Sequence, residues 1–336
     1  MEKVGIITLH RNTNYGANLQ AFALQKYIKS LGYDVLIIDY LKSEFDYQNH
    51  LLAWLKESWK NSRGTRFIQK VKLFISLCLS IPSKLQRLYR FNKFRKLNCK
   101  LSKRCENNFD ITNLEINTII CGSDQIWNPE ITHGFDSIYF GEIDGVIKKI
   151  SYAASLGKSK LNSTQESIIK NNLKSINYCS VRESDSAKYL NSISKIEIET
   201  VCDPTFLLDN KEYFALTKQR RIKNKYILLY SIIQNPDMTV FAEKFAQQKG
   251  LILIEICQNI KIGKKHKQFT NLGPTEFLTV FRDSEFIITN SFHGTAFAII
   301  FEKQFIVFDN KERGSRILDL LKKIGLENRI YKTENI

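Results

Sequence analysis

The residue best placed for chemistry is His293. It lies in Asn290-Ser291-Phe292-His293-Gly294-Thr295, which follows an apolar run and opens a helical pattern. Backbone N–H groups at a helix start attract anions such as phosphate. An imidazole there can donate a proton or bind a phosphate oxygen, or simply cap the helix. Arg182, in Val181-Arg182-Glu183, stands at a similar turn. Its guanidinium can grip phosphate or carboxylate through paired hydrogen bonds, or form an ion pair with Glu183 or Asp185. Two polar turns complete the set. Asn14-Tyr15-Gly16-Ala17-Asn18-Leu19-Gln20 offers Asn14, Asn18 and Gln20 to sugar hydroxyls, with Gly16 permitting close backbone approach. Cys121-Gly122-Ser123-Asp124-Gln125-Ile126-Trp127-Asn128-Pro129 holds Asp124, a base toward a hydroxyl or a capping carboxylate, and Trp127, a platform for a sugar face or a core residue.

These turns need rigid elements behind them. Val4 to Leu9 reads as a buried strand. A helix follows, with Leu19, Phe22, Ala23, Tyr27 and Leu31 at helical spacing and Gly32 as its C-cap, then a strand over Val35 to Ile38. Such a β-α-β unit forces parallel strands and a right-handed crossover. Further strands are expected at Thr118 to Cys121, Ile150 to Ala154, Tyr178 to Arg182 and Ile198 to Cys202. A second βα series starts near Lys225, with strands at Tyr226 to Ile232, Leu251 to Ile256, Phe286 to Thr289 and Phe305 to Phe308. The spacing predicts an α/β protein of two Rossmann-like, doubly wound lobes, residues 1–205 and 206–336, with the last helix a candidate to pack back on the first lobe. Open parallel sheets bind ligands beyond the carboxyl ends of their strands, which is where all four turns fall. No GxGxxG is present, so dinucleotide binding is not expected.

Bulk composition narrows the class. A chain of 336 residues with 43% hydrophobic and 25% charged residues is long enough for two ordinary cores. Met1-Glu2-Lys3 runs straight into a strand, so no signal peptide is expected. The longest apolar run, Leu73 to Ile81 before Pro82, is about half the ~18 residues of a membrane span. Seven cysteines without a CxxC, and five histidines (His10, His50, His133, His266, His293) without ligand spacing, point to reduced cytosol and no metal site. The formal charge is +16, and residues 56–104 hold fifteen Lys/Arg against the single acid Glu57. This basic helical insertion in the first lobe, at about residues 45–108, interleaves its cations with Trp54, Trp59, Phe67, Phe74, Tyr89, Phe91 and Phe94. Residues 54–104 thus suit an anionic membrane surface, or form a solvated helix packed on the lobe. No nucleic-acid reader motif accompanies them, so nucleic acid is not an expected partner. The protein is expected in the cytoplasm, peripheral on the inner face of the cell membrane.

Taken in order, NYGANLQAFAL, CGSDQIWNP, SYAASLG, SVRESDSAKYL, VCDPTFLL, TNSFHGTAFAI and SRILDLLKKIGL resemble the polysaccharide pyruvyl transferase family over roughly residues 4–326. The resemblance implies a glycosyltransferase-B-like fold with the reaction in the cleft between lobes. It implies phosphoenolpyruvate as co-substrate with no other cofactor, and a sugar hydroxyl pair as acceptor, on a cell-surface polysaccharide precursor that in several members is polyprenyl-diphosphate-linked. The product would be a pyruvyl ketal. Arg182 matches the family's V-R-[DE] arginine and His293 the histidine of its His-Gly motif, both placed at the donor. The implied donor site is Arg182, Ser291, Phe292, His293, Gly294 and Arg316, with His293 and Asp124 catalytic. The implied acceptor site is Asn14, Tyr15, Gly16, Asn18, Gln20, Gln125, Trp127 and Asn128. Several members carry arginine where this chain has Ser291, and Arg313, Arg316 and Arg282 are the residues that could replace it. Two other functions fit the same fold: a nucleotide-sugar-dependent glycosyltransferase, and a non-catalytic glycan- or lipid-binding protein.

Overall fold

The computed structural model describes residues 2–41, 67–157, 161–220, 222–309 and 314–331. They divide into two compact units, one of residues 2–41 with 95–208 and the other of 67–94 with 209–331.

The first unit is built on seven parallel strands: β1 (Lys3–Ile7), β2 (Asp34–Tyr40), β3 (Leu101–Cys105), β4 (Thr118–Asp124), β5 (Lys148–Ala154), β6 (Tyr178–Val181) and β7 (Ile198–Thr200). Their order is β3-β2-β1-β4-β5-β6-β7. In β1 and β2 both faces are apolar, as expected of strands covered on both sides. Val4, Ile6, Val35 and Ile37 turn to one face, where Ala21, Leu24 and Ile28 of the helix Tyr15–Ser30 pack on them. Ile7, Leu36 and Ile38 turn to the other and join Trp127, Phe140 and Val181. Each such aliphatic side chain contributes about 1.5–3 kcal/mol on burial. Gly32, at φ 92°, follows the helix in the left-handed conformation expected of a C-cap. β1 neighbours both β2 and β4, so the chain order reverses between β1 and β4.

The second unit has six parallel strands: β8 (Tyr226–Tyr230), β9 (Ile252–Ile256), β10 (Lys267–Phe269), β11 (Phe286–Thr289), β12 (Gln304–Phe308) and β13 (Ile330–Tyr331). Their order is β10-β9-β8-β11-β12-β13, so the reversal here lies between β8 and β11. Ile227, Leu229, Leu253 and Ile288 form one face of its core with Met238, Ala242 and Ala246 of the helix Pro236–Lys249. The last helix, Gly314–Lys323, belongs to this unit.

The basic segment contains the long helix Phe67–Asn98, with Pro82 inside it. Its placement differs from the expected insertion in the first lobe. Up to Phe94 it belongs to the second unit, where Ser76 Oγ donates to Ile260 O (2.5 Å) and Arg90 Nη1 to Asn271 O (2.8 Å). From Arg95 onward the same helix belongs to the first unit. An amphipathic pattern shows that a face is buried but does not name the partner. Phe91 and Phe94 are core residues, while Phe74 (57% exposed) and Tyr89 (63%) face out. Trp54, Trp59 and the Phe67 side chain lie outside the described residues. Among the described residues no helix is long and apolar enough to cross a membrane, and no group of three or more metal-ligating side chains occurs. All seven cysteines are free.

Candidate functional site

In each unit the crevice at the strand-order reversal is where an open parallel sheet binds its ligand. On the first sheet it is flanked by the loop leaving β1, residues 8–14, and the turn leaving β4. These hold NYGANLQ and CGSDQIWNP. Gln20 ties the two together: Nε2 donates to Thr8 Oγ1 (2.9 Å), and Oε1 accepts from Ser123 N (3.3 Å). Asn18 Nδ2 donates to the Asn12 and Asn14 carbonyls (both 2.9 Å), and its Oδ1 accepts from Arg95 Nη1 (3.0 Å). Both amides are buried and committed to the scaffold, so they hold the crevice and do not face an acceptor. Tyr15 and Gly16 are likewise buried in the first helical turn. Asn14, the N-cap that accepts from Ala17 N (3.3 Å), is exposed at the rim.

Asp124 ends β4 with φ 66°, a left-handed conformation that costs strain for a non-glycine residue. It is 7% exposed, and no hydrogen bond to its carboxylate is found among the described residues. Next to it, Asn128 Nδ2 donates to Gln125 Oε1 (2.7 Å). Gly157, at φ +67°, packs on this pair so closely that a Cβ would lie 2.3 Å from Gln125 Oε1. Trp127 is not an acceptor platform. It is fully buried, stacks on Phe140 at 5.1 Å and donates from Nε1 to Tyr139 O (3.0 Å).

Arg182 is enclosed. Its Nη1 donates to Asp203 Oδ2 (2.7 Å) and its Nε to Glu183 Oε1 (3.2 Å), with the side chain 3% exposed. Ser155 Oγ donates to Glu183 Oε1 (2.7 Å), Ser123 Oγ to Asp203 Oδ2 (3.3 Å) and Thr205 Oγ1 to Asp203 Oδ1 (2.8 Å). Burial would lower the guanidinium pKa, but Glu183, Asp203 and Asp124 around it raise it above the ordinary arginine value. The ion-pair alternative is therefore realised, with Asp203 in place of Asp185 as the second carboxylate. Asp203 belongs to the VCDPTFLL stretch that carries part of the family resemblance.

His10 and Asp39 escaped the sequence reading. His10 Nε2 lies 2.9 Å from Asp39 Oδ1 and Nδ1 3.1 Å from Thr8 O, and Arg11 Nε donates to the same carboxylate (2.6 Å). Burial opposes ionisation of Asp39, but the bonds from His10 and Arg11 overcome it and hold its carboxyl far below the usual range. Arg95 Nη1 reaches His10 O (3.1 Å), and burial pushes the Arg95 pKa down to about 10. The position of His10, three residues past a buried strand, was the available signal.

On the second sheet the crevice is flanked by the loop after β8 and the turn Asn290–His293. Asn290 joins them: Oδ1 accepts from Ile232 N (3.0 Å), and Nδ2 donates to Ile233 O (2.7 Å). Ser291 is the N-cap of the helix Phe292–Ile300, its Oγ accepting from Gly294 N (3.1 Å). The Gly294 amide expected to meet the donor is therefore already used. Gly294 must be glycine, because a Cβ would lie 2.4 Å from Thr289 Oγ1 and 2.9 Å from Tyr230 Cδ1. His293 stands in the first helical turn, 7% exposed, edge-on to Phe292 at 5.3 Å. Of the arginines proposed to replace the cation at Ser291, Arg282 is ruled out by position. It closes the helix Pro274–Asp283 just before β11 begins, at the opposite edge, and bonds Asp283 Oδ1 (2.7 Å) and Lys218 O (2.9 Å). Arg316 is half-buried in the first turn of Gly314–Lys323. Arg313 lies outside the described residues.

The fold has relatives among solved structures. The S. aureus MnaA–UDP co-structure aligns with a TM-score of 0.52 at 12% identity, over 91% of this chain and 79% of that one. The UDP-GlcNAc 2-epimerase of Methanocaldococcus jannaschii aligns with a TM-score of 0.49 at 14% identity, over 100% and 94%. The likeness is one of fold, α/β and glycosyltransferase-B-like. No curated protein matches the sequence. The profile for Polysaccharide pyruvyl transferase matches residues 14–312, a span that reaches into both crevices, and the chain belongs to that family.

Proposed function

We propose that this transferase moves the enolpyruvyl group of phosphoenolpyruvate onto two hydroxyls of a sugar in a cell-surface polysaccharide precursor. The observation that carries the reading is His293, set in the first turn of a helix at the strand-order reversal of the second sheet. The positive end of that helix favours the donor's phosphate and carboxylate. Arg316, in the same unit, is assigned the charge that Ser291 does not supply. Protonation of the donor's C3 methylene by His293 makes C2 electrophilic. A sugar hydroxyl attacks C2, phosphate leaves with the electrons of the C–O bond, and the second hydroxyl closes the ketal as both hydroxyl protons are released. General acid catalysis of this kind is worth about 10²–10⁴-fold.

Asp124 is assigned to activating the hydroxyl, with Asn14 at the rim of the acceptor crevice. Arg182 is assigned to positioning. It fixes Glu183 and Asp203 and keeps positive charge near Asp124. Incubation with phosphoenolpyruvate and a panel of sugar acceptors tests the reaction. Phosphate release matched by a pyruvylated sugar in the mass spectrum is expected. Release without such a product, or transfer from a nucleotide sugar instead, contradicts it.

The acceptor is proposed to be polyprenyl-diphosphate-linked and met at the inner membrane face. The helix Phe67–Asn98 supports this by exposing Phe74, Leu79, Leu85 and Tyr89 within a strongly basic stretch. Flotation with anionic vesicles is expected at low salt and lost at high salt. No flotation at low salt contradicts membrane contact.

A further inference from the structure

The second unit carries a cleft of about 410 Å³ between the loops that leave β8 and β9, the first of which is bonded by Asn290. Its size falls in the range of about 300–1,000 Å³ usual for small-molecule sites. Its walls are fixed. Ile232 and Ile233 are held by the two Asn290 bonds described above. Ile260 is held on both sides by the helix Phe67–Asn98: its carbonyl accepts from Ser76 Oγ (2.5 Å), and its N–H donates to Ser80 Oγ (3.1 Å). Lys261 exchanges two backbone bonds with the Gln268 side chain, at 2.6 and 2.9 Å.

The lining selects for one chemistry. Its charged residues are Glu255 and Lys261, and they are bonded to each other. Glu255, 1% exposed, also holds His266 Nε2 at 2.9 Å. The charges cancel within the wall, which removes the attraction a phosphate or carboxylate ligand needs. Gln234, Gln258 and Asn259 then supply neutral amide donors and acceptors, and Asn259 Oδ1 is buried with no hydrogen-bond partner among the described residues. An unsatisfied buried acceptor is costly unless a ligand donates to it. Ile232, Ile260 and Ile262 add aliphatic surface to the same cleft. Amides for hydroxyls and aliphatic carbons for a C–H face are the two halves of neutral sugar recognition.

We propose that this cleft is a subsite for an uncharged sugar ring, distinct from the donor crevice and braced by Asn290 of that crevice's turn. This deepens the reading above and rests on it only for the expectation that the acceptor is a saccharide. Saturation-transfer NMR on the full chain, with the methyl pyranosides of glucose, galactose and mannose as probes at millimolar concentration, tests it. Transfer to at least one probe is expected, weakened about fivefold in both Gln258→Ala and Asn259→Leu, the loss of roughly one hydrogen bond. The melting-temperature shift given by phosphoenolpyruvate should be unchanged in both variants. No transfer to any probe, or transfer equal to wild type in both variants, overturns the proposal. Sugar binding without any phosphoenolpyruvate shift in the wild type would instead break the donor assignment and leave the cleft standing.

Discussion

At the first sheet's reversal, polar groups are held by one another. Arg182 lies between Glu183 and Asp203, Asp39 collects His10 and Arg11, and Gln20 bonds across the crevice. At the second sheet's reversal the same task falls to neutral groups: the Ser291 cap, the Asn290 bracket and a glycine pressed against Thr289. A buried charge is tolerated only when its partners are fixed, so the first crevice is rigid and electrically self-contained around Asp124. The second is framed by neutral caps and a helix start, whose positive end suits a ligand that brings its own negative charge.

This contrast can be broken at several strengths. The largest effect belongs to Arg182→Ala, which leaves Glu183 and Asp203 buried and uncompensated. A stability loss of about 3–5 kcal/mol is expected in urea unfolding; a loss below about 1 kcal/mol would show that the web is not structural. Asp124→Asn should lower turnover by about 10²–10⁴-fold while leaving the melting temperature nearly unchanged, because asparagine tolerates the left-handed backbone. Near-normal turnover would remove Asp124 from the chemistry.

Asp39 gives a pH test. Its folded pKa lies below the unfolded value, so the native state binds fewer protons than the unfolded chain between the two. This stabilising contribution is complete above pH ~4 and is lost as pH falls toward the folded value. Asp39→Asn should flatten the fall of melting temperature below pH ~4 and cost about 1.5–3 kcal/mol at neutral pH. An unchanged acid slope contradicts the assignment. Ser291→Ala, on the neutral side of the comparison, should cost only about 1 kcal/mol, the worth of a helix cap.

The turns that hold these residues were legible in the sequence because each follows a short apolar strand, and all but the turn after β4 lead into a helix. Side-chain direction was not. Trp127 sits three residues past a strand in a polar turn, yet tertiary packing against Phe140 draws it inward. Asn18 and Gln20 look like sugar ligands by type, but the first two turns of the helix point them at backbone and, for Asn18, at Arg95. Arg182 required knowing that Asp203, twenty-one residues on, returns beside it. The strands β3, β10 and β13 were missed because they are edge elements of two to five residues, and β3 and β10 are rich in polar side chains that carry no apolar signal.

The central claim is that the second unit's crevice takes phosphoenolpyruvate at His293. Thermal unfolding with and without millimolar phosphoenolpyruvate, with phosphate and a nucleoside diphosphate alongside, tests it most directly. The account predicts an upward shift selective for phosphoenolpyruvate and absent in His293→Gln. A shift given by the nucleoside diphosphate but not by phosphoenolpyruvate, or one that survives His293→Gln unchanged, would contradict it.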